Sequence, residues 1–322
     1  MSRAEALGHA PGMATPPGAF DRVLYGVSPL DVGSLDRARR ARITYDAAAD
    51  RYDDMALGFF VRAGERTIDR LGLLPGMSVL DLASGSGASA VPAARRVGAG
   101  GRVVAVDLST RLLELGREKA ARSGLGQLEF VEGDMTDTGF PDASFDRVMC
   151  VFGISFAPDM EAFAAELWRM VRPGGRLAIT TWGPRLWAPM LDVWRTAVRV
   201  ERPELVSDFH PWDRITTPSS LVRLLADAGI PREAIRVLPE FDVWPLRSAH
   251  DWWSIVMGTG LRWTMDQLTP EAAARVRAAN LEYARRHEVV SITCNVMYAT
   301  VTKPLDAAQP GESGSGPAEP PG

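Results

Sequence analysis

The stretch VLDLASGSGASA, Val79 to Ala90, constrains the fold of this chain more than any other. An apolar run ends in Asp81, a turn carries Gly85 and Gly87, and helix-compatible small residues follow. A strand feeding a glycine turn and then a helix is where an α/β sheet takes a ligand at its carboxyl edge. Asp107 ends the next apolar run, and 107 minus 87 is 20, the separation at which an acidic side chain meets a ribose hydroxyl in such folds. With Ala90 in the third small position, the loop alone also fits a nicotinamide or flavin cofactor.

The surrounding pattern extends this unit into a sheet. Apolar, β-branched segments at Ser78–Leu82, Arg102–Val106, Leu128–Val131, Phe145–Val151 and Arg176–Trp182 read as buried parallel strands. Amphipathic helices are expected between them, one over Thr110–Ser123 and one from the cap Asp159 to Val171. Upstream, Ala38, Ala41, Tyr45, Ala48 and Tyr52 recur at steps of three and four, one face of a helix, and a second helix spans Phe60–Leu71. Downstream, Thr217, Pro218 and Gly229 bracket another helix. Two more strands are expected near Ile235–Val243 and Val290–Thr302, separated by a helical insertion that holds DWWSIVMGTGLRWTM and a long helix over Glu271–His287. The expected division is a disordered tail (1–34), amino-terminal helices (35–74), a binding core (75–184), the rest of the sheet with a cap at about 245–287 (185–303), and a second disordered tail (304–322), both tails being rich in Pro, Gly and Ala.

The 322 residues are 46% hydrophobic, enough for a real core, and carry a net charge of -4, which argues against a nucleic-acid substrate. Cys150 and Cys294 are too few for a disulfide framework and show no metal-type spacing, which suits a reducing cytoplasm. No window approaches a membrane span, and no His/Asp/Glu cluster has metal-ligand spacing, so membrane insertion and a metal are not expected.

Asp81 lies close to the glycine turn, where a pyrophosphate would repel it but a cationic, zwitterionic ligand would not. After the third strand, EGDMTD offers Asp134 to accept from an exocyclic amine and Met135 to pack on a flat base. These stretches, followed by FDRVMCVFGISFAPD and VRPGGRLAITTWG, resemble class I S-adenosylmethionine-dependent methyltransferases, most closely the ubiquinone/menaquinone C-methyltransferase-like small-molecule group. YDAAADRYDD is similar to that group's amino-terminal signature, a helix that closes over the cofactor.

The resemblance implies an α/β, Rossmann-like fold with a seven-stranded, mostly parallel sheet, its last strand antiparallel. It implies S-adenosyl-L-methionine as cofactor. Gly85 and Gly87 would lie against the methionyl part, Asp81 near its ammonium, Asp107 on the ribose, Asp134 and Met135 on adenine, and Val151–Gly153 beside the sulfonium. Tyr45, Tyr52, Ala83, Ser84 and Leu108 complete the expected cofactor set; Ala83 stands where many members of the group have glycine.

Methyl transfer from a sulfonium is an in-line displacement that depends on alignment and exclusion of water. His210 and His250 are the candidate general bases, because both fall in the region that should roof the pocket. Phe152, Phe156, Trp182, Trp252 and Trp253 are the candidate acceptor contacts, since aromatic linings suit an apolar or aromatic small molecule. The expected protein is a cytoplasmic methyltransferase of quinone-like or specialised metabolism, with room for a homodimer. The rivals are a nicotinamide oxidoreductase, a domain that binds the cofactor without transferring methyl, and the same scaffold catalysing a cyclisation.

Overall fold

The computed structural model describes residues 37–207 and 209–305. The two expected tails therefore lie outside the described residues, apart from Pro304 and Leu305.

Nine strands form among the described residues: β1 (Ser78–Leu82), β2 (Arg102–Asp107), β3 (Leu128–Glu132), β4 (Phe145–Val151), β5 (Val171–Trp182), β6 (Ile235–Glu240), β7 (Val243–Pro245), β8 (Ser291–Thr293) and β9 (Val296–Thr302). Seven of them make one sheet in the order β3-β2-β1-β4-β5-β9-β6. β1 runs parallel to both β2 and β4, with Asp81 opposite Ala105 and Met149. β9 lies antiparallel between β5 and β6, as the resemblance implied.

The ten α-helices among the described residues are α1 (Arg37–Tyr52), α2 (Phe59–Leu71), α3 (Ala90–Val97), α4 (Thr110–Arg122), α5 (Met160–Met170), α6 (Met190–Glu201), α7 (Pro218–Asp227), α8 (Ala249–Met257), α9 (Arg262–Asp266) and α10 (Pro270–Arg286). Their starts follow from side-chain caps, which satisfy amide groups that have no partner within the helix. Asp159 Oδ1 accepts from Ala162 N at 2.9 Å, Ser109 Oγ from Leu112 N at 3.2 Å, and Thr217 Oγ1 from Ser220 N at 3.2 Å. None of the described helices is long and apolar enough to cross a membrane.

Strand periodicity sends alternate residues to opposite faces. Val79 joins a core with Leu71, Val97 and Leu113 on one face of the sheet, while Leu80 and Leu82 join Phe163, Leu167 and Leu224 on the other. Covering both faces explains why these strands read as unbroken apolar runs. A third cluster, holding Phe59, Trp182, Trp187 and Trp252, lies outside those two layers.

The expected strands needed three adjustments. β5 starts at Val171, ahead of Arg176, because Phe145 pairs with Val171 before the register shifts. The segment expected over Val290–Thr302 breaks into β8 and β9 at Asn295. That side chain accepts from Asp242 N at 3.0 Å and donates to Pro184 O at 2.8 Å, while Cys294 N turns to Asp242 O at 2.8 Å. The same corner separates β6 from β7, which pairs with β8 in a small second sheet. Helix α6 was not foreseen, although Met190, Leu191, Trp194 and Val198 give it a clear buried stripe.

Candidate active site

A cavity opens at the carboxyl ends of β1 to β4, where the strand order reverses and α/β sheets hold their ligands. Asp107, at the end of β2, uses both carboxylate oxygens on backbone amides. Oδ2 accepts from Gly85 N at 2.7 Å and Oδ1 from Ser109 N at 2.9 Å, tying the glycine turn to the start of α4. Burial raises its pKa, while the amides of Ser109, Gly85 and Leu108 oppose the rise.

The turn itself runs through left-handed backbone, with φ of +59° at Ala83, +55° at Gly85 and +87° at Gly87. Glycine is required at 87, where an added Cβ would lie 2.9 Å from Phe130 Cζ. Ala83 bears a strained conformation for a residue with a Cβ. Its Cβ is accommodated because residue 153 is glycine: a Cβ there would lie 2.4 Å from it.

Beneath the turn, Asp81 is fully buried and accepts from Ser89 Oγ at 2.6 Å. Burial pushes its carboxyl up to about 7, the Ser89 hydroxyl opposing and the Asp107 charge adding. Asp81 Oδ1 and Ser84 Oγ are both buried without a partner. Unpaired polar atoms are costly inside a protein, and two of them on one glycine turn fit a ligand that brings an ammonium and further polar groups.

Helix α1 covers the cavity and places Tyr45 and Tyr52 on its wall. The helix is tied down by Asp46 Oδ1, which accepts from Ser109 Oγ at 2.7 Å, and by Arg42, whose guanidinium lies 3.1 Å from Glu132. On the far side Asp50 meets Arg262 at 3.0 Å. Burial raises the pKa of both tyrosines, so each hydroxyl is a neutral donor.

Five cavity-lining rings form a connected collar. Phe156 meets Tyr45 edge-on at 5.7 Å, Tyr45 meets Tyr52 at 6.1 Å, Tyr52 stacks on Phe60 at 5.1 Å, and Phe60 meets Phe152 at 5.8 Å. Phe152 holds a left-handed φ of +60° and stacks on Trp182 at 3.8 Å.

Most of the expected cofactor residues share this wall. Tyr45, Tyr52, Ala83 and Gly85 line it from above and beside β1, and Asp107, Leu108, Met135 and Val151 from the other strands. Asp81, Ser84 and Gly87 are buried off the wall. Asp134 departs from its expected place, because its Oδ1 accepts from Thr136 N at 2.8 Å and Thr136 Oγ1 at 2.7 Å, turning the carboxylate into its own loop.

Among the acceptor candidates, Phe152 and Phe156 line the cavity and Trp182 backs Phe152. Trp252 does not reach it: fully buried, it donates to Asn280 Oδ1 at 2.9 Å as part of the core. Trp253 is half-buried, with Arg277 5.9 Å above its ring, and also stands off the wall. Neither histidine lines the cavity. His210 stacks on Trp212 at 4.3 Å with its backbone amide on Asp213 Oδ2, and burial lowers its pKa; His250 is exposed on the first turn of α8.

Arg42, Phe60 and Ser109 line the cavity without having been foreseen. Ser109 carried a signal, as a capping serine two residues after Asp107. Phe60 carried none, since an aromatic residue on an amphipathic helix reads first as core.

A family model described as a methyltransferase domain matches residues 79–175. Nocamycin O-methyltransferase of Saccharothrix syringae is 36% identical over 177 residues, covering 52% of this chain and 62% of that protein. A ubiquinone/menaquinone biosynthesis C-methyltransferase of Teredinibacter turnerae is 34% identical over 153 residues, covering 46% and 61% respectively. The matches thus span about three fifths of the length of these curated relatives. Among solved structures, Haemonchus contortus phosphoethanolamine N-methyltransferase 2, in complex with phosphomonomethylethanolamine and S-adenosylhomocysteine, superposes with a TM-score of 0.53 at 15% identity, covering 84% of this chain and 61% of that one, a likeness of fold. Residues 79–175 thus match a methyltransferase domain, and the strand order and the Asp107-braced turn agree with the α/β fold that the sequence resemblance implied.

Proposed function

We propose that this chain methylates carbon or oxygen of a small apolar or aromatic metabolite. The observation that carries the reading is the continuity of one wall, on which Asp107 and Met135 share the lining with the five-ring collar. When bound, S-adenosylmethionine supplies an electrophilic methyl on a sulfonium.

The chain's own residues bind, orient and exclude water. Asp107 holds the glycine turn in shape and offers its remaining lone pairs to a ribose diol. The collar presents π faces, which attract a sulfonium and pack on a planar acceptor. Tyr45 and Tyr52 add their rings to this lining, and α1 covers the cavity, which helps to keep the reaction dry. Incubation with S-adenosylmethionine and a panel of quinols, phenols, enolic dicarbonyls and aliphatic amines, followed by mass spectrometry, tests the acceptor class. Methylated quinols, phenols or enols support it, and methylation of amines alone overturns it.

Asp81 gives the reading a pH signature. Its carboxyl, pushed up to about 7 by burial, is protonated in the free protein at pH 6. An unfolded chain ionises it in the ordinary carboxylate range, so this group's contribution to stability is full below that range and is lost as pH rises through about 7. Binding of a cationic methionyl ammonium has the opposite trend, because it needs the ionised form. Affinity for S-adenosylhomocysteine is expected to rise about tenfold from pH 6 to pH 8, and Asp81→Asn to abolish that rise. Calorimetry across this range checks both.

The positions of the two histidines predict that His210→Ala and His250→Ala each keep methyl transfer within about twofold of the parent, since general-base loss costs about a hundredfold or more. A large loss of kcat in either variant, with the fold intact, would return that histidine to the mechanism.

A further inference from the structure

Lys119 is one of only two lysines in a chain whose other basic residues, histidine aside, are arginines. It stands in the last turn of α4, yet its ammonium reaches two other elements. Nζ lies 2.6 Å from Asp53 Oδ1, 2.8 Å from Ser86 Oγ and 3.1 Å from Ser86 O. Ser86 Oγ in turn donates to the same Asp53 oxygen at 2.7 Å.

The three partners are not arbitrary. Ser86 is buried between Gly85 and Gly87, at the centre of the glycine turn. Asp53 directly follows Tyr52, whose ring lies against Gly85, where an added Cβ would come within 2.9 Å of the Tyr52 hydroxyl. Two successive residues at the end of α1 therefore grip two successive residues of the turn. An ammonium suits this junction better than a guanidinium, because three compact donors can diverge to three acceptors, whereas a planar fork cannot.

We propose that Lys119 is a positioning residue that clasps the lid helix to the glycine turn, so that lid and cofactor loop open and close as one unit. The proposal rests on the function proposed above and adds to it a determinant of cofactor residence. The clasp sits at the rim, partly exposed, with side-chain exposures of 27% for Lys119 and 38% for Asp53, so its loss should act on the lid rather than on the core.

The test compares the full-length protein with Lys119→Met, Lys119→Arg, Asp53→Asn and the Lys119→Met/Asp53→Asn double variant. Stopped-flow displacement gives the dissociation rate of S-adenosylhomocysteine, limited trypsin digestion reports protection of the arginine-rich α1, and thermal unfolding gives Tm. The expected result is dissociation about tenfold faster in Lys119→Met and in Lys119→Arg, with ligand protection of α1 lost, Tm held within about 2 °C, and the double variant no worse than Lys119→Met. Unchanged dissociation, additive effects of Asp53 and Lys119, or a fall in Tm that accounts for the faster release would overturn the clasp. Failure of the unmodified protein to bind S-adenosylhomocysteine would instead overturn the proposed function, and the clasp with it.

Discussion

Asp107→Ala should weaken binding of S-adenosylhomocysteine by about a hundredfold, the largest single-residue effect on ligand affinity in this site. The carboxylate does two things at once: it accepts from the amides of Gly85 and Ser109, and it faces the cavity where a ribose diol would lie. A hydrogen bond to a charged group contributes about 1.5–3 kcal/mol, so losing the ribose contacts alone accounts for about ten- to a hundredfold. Release of the Gly85 amide adds to this, since the turn loses the acceptor that fixes it. Asp107→Asn keeps the volume and one carbonyl oxygen and should fall between the two. Titration calorimetry measures the series, and an unchanged dissociation constant in the alanine variant would remove Asp107 from the site.

Trp252→Ala should cost about 3–5 kcal/mol of folding stability, as truncating a fully buried aromatic does. The side chain has no exposed surface, and its indole N–H is the partner of Asn280 Oδ1, itself fully buried. The variant thus opens a cavity and leaves a buried carbonyl oxygen without its donor. Trp253, one residue along, should cost less than about 1 kcal/mol, because it loses only partial burial and an Arg277 contact at 5.9 Å. Chemical denaturation of both variants separates them. If Trp252→Ala unfolded like the parent but lost acceptor binding, the tryptophan would belong to the pocket after all.

That pair marks where the sequence stops being informative. Periodicity put both tryptophans on one helix in the insertion, and that helix exists as α8. Which of its faces meets the cavity and which the core depends on how α8 packs against α10 and the segment after α1, a tertiary fact with no local signature. The cofactor side was legible for the opposite reason. Asp81, Gly85, Gly87 and Asp107 sit at strand ends whose positions follow from the chain's own alternation, so spacing along the sequence translates into spacing across the sheet. Asp134 shows the limit of that translation: its strand end was right, but a threonine two residues on turned the carboxylate away, a competition short polar side chains often win. The histidines show a similar limit. Lying in the region expected to roof the pocket did not bring either side chain to its wall.

The Lys119 junction was visible only as an oddity of composition. One of two lysines in an arginine-rich chain says nothing about where its ammonium reaches until the end of α1 and the glycine turn are seen together.

Everything proposed above depends on this cavity holding S-adenosylmethionine. Calorimetric titration of the purified protein with S-adenosylmethionine, S-adenosylhomocysteine, NADH and NADPH tests it most directly. Micromolar binding of the first two and none of the nicotinamides is expected; binding of NADH or NADPH in their place would make this a nicotinamide site.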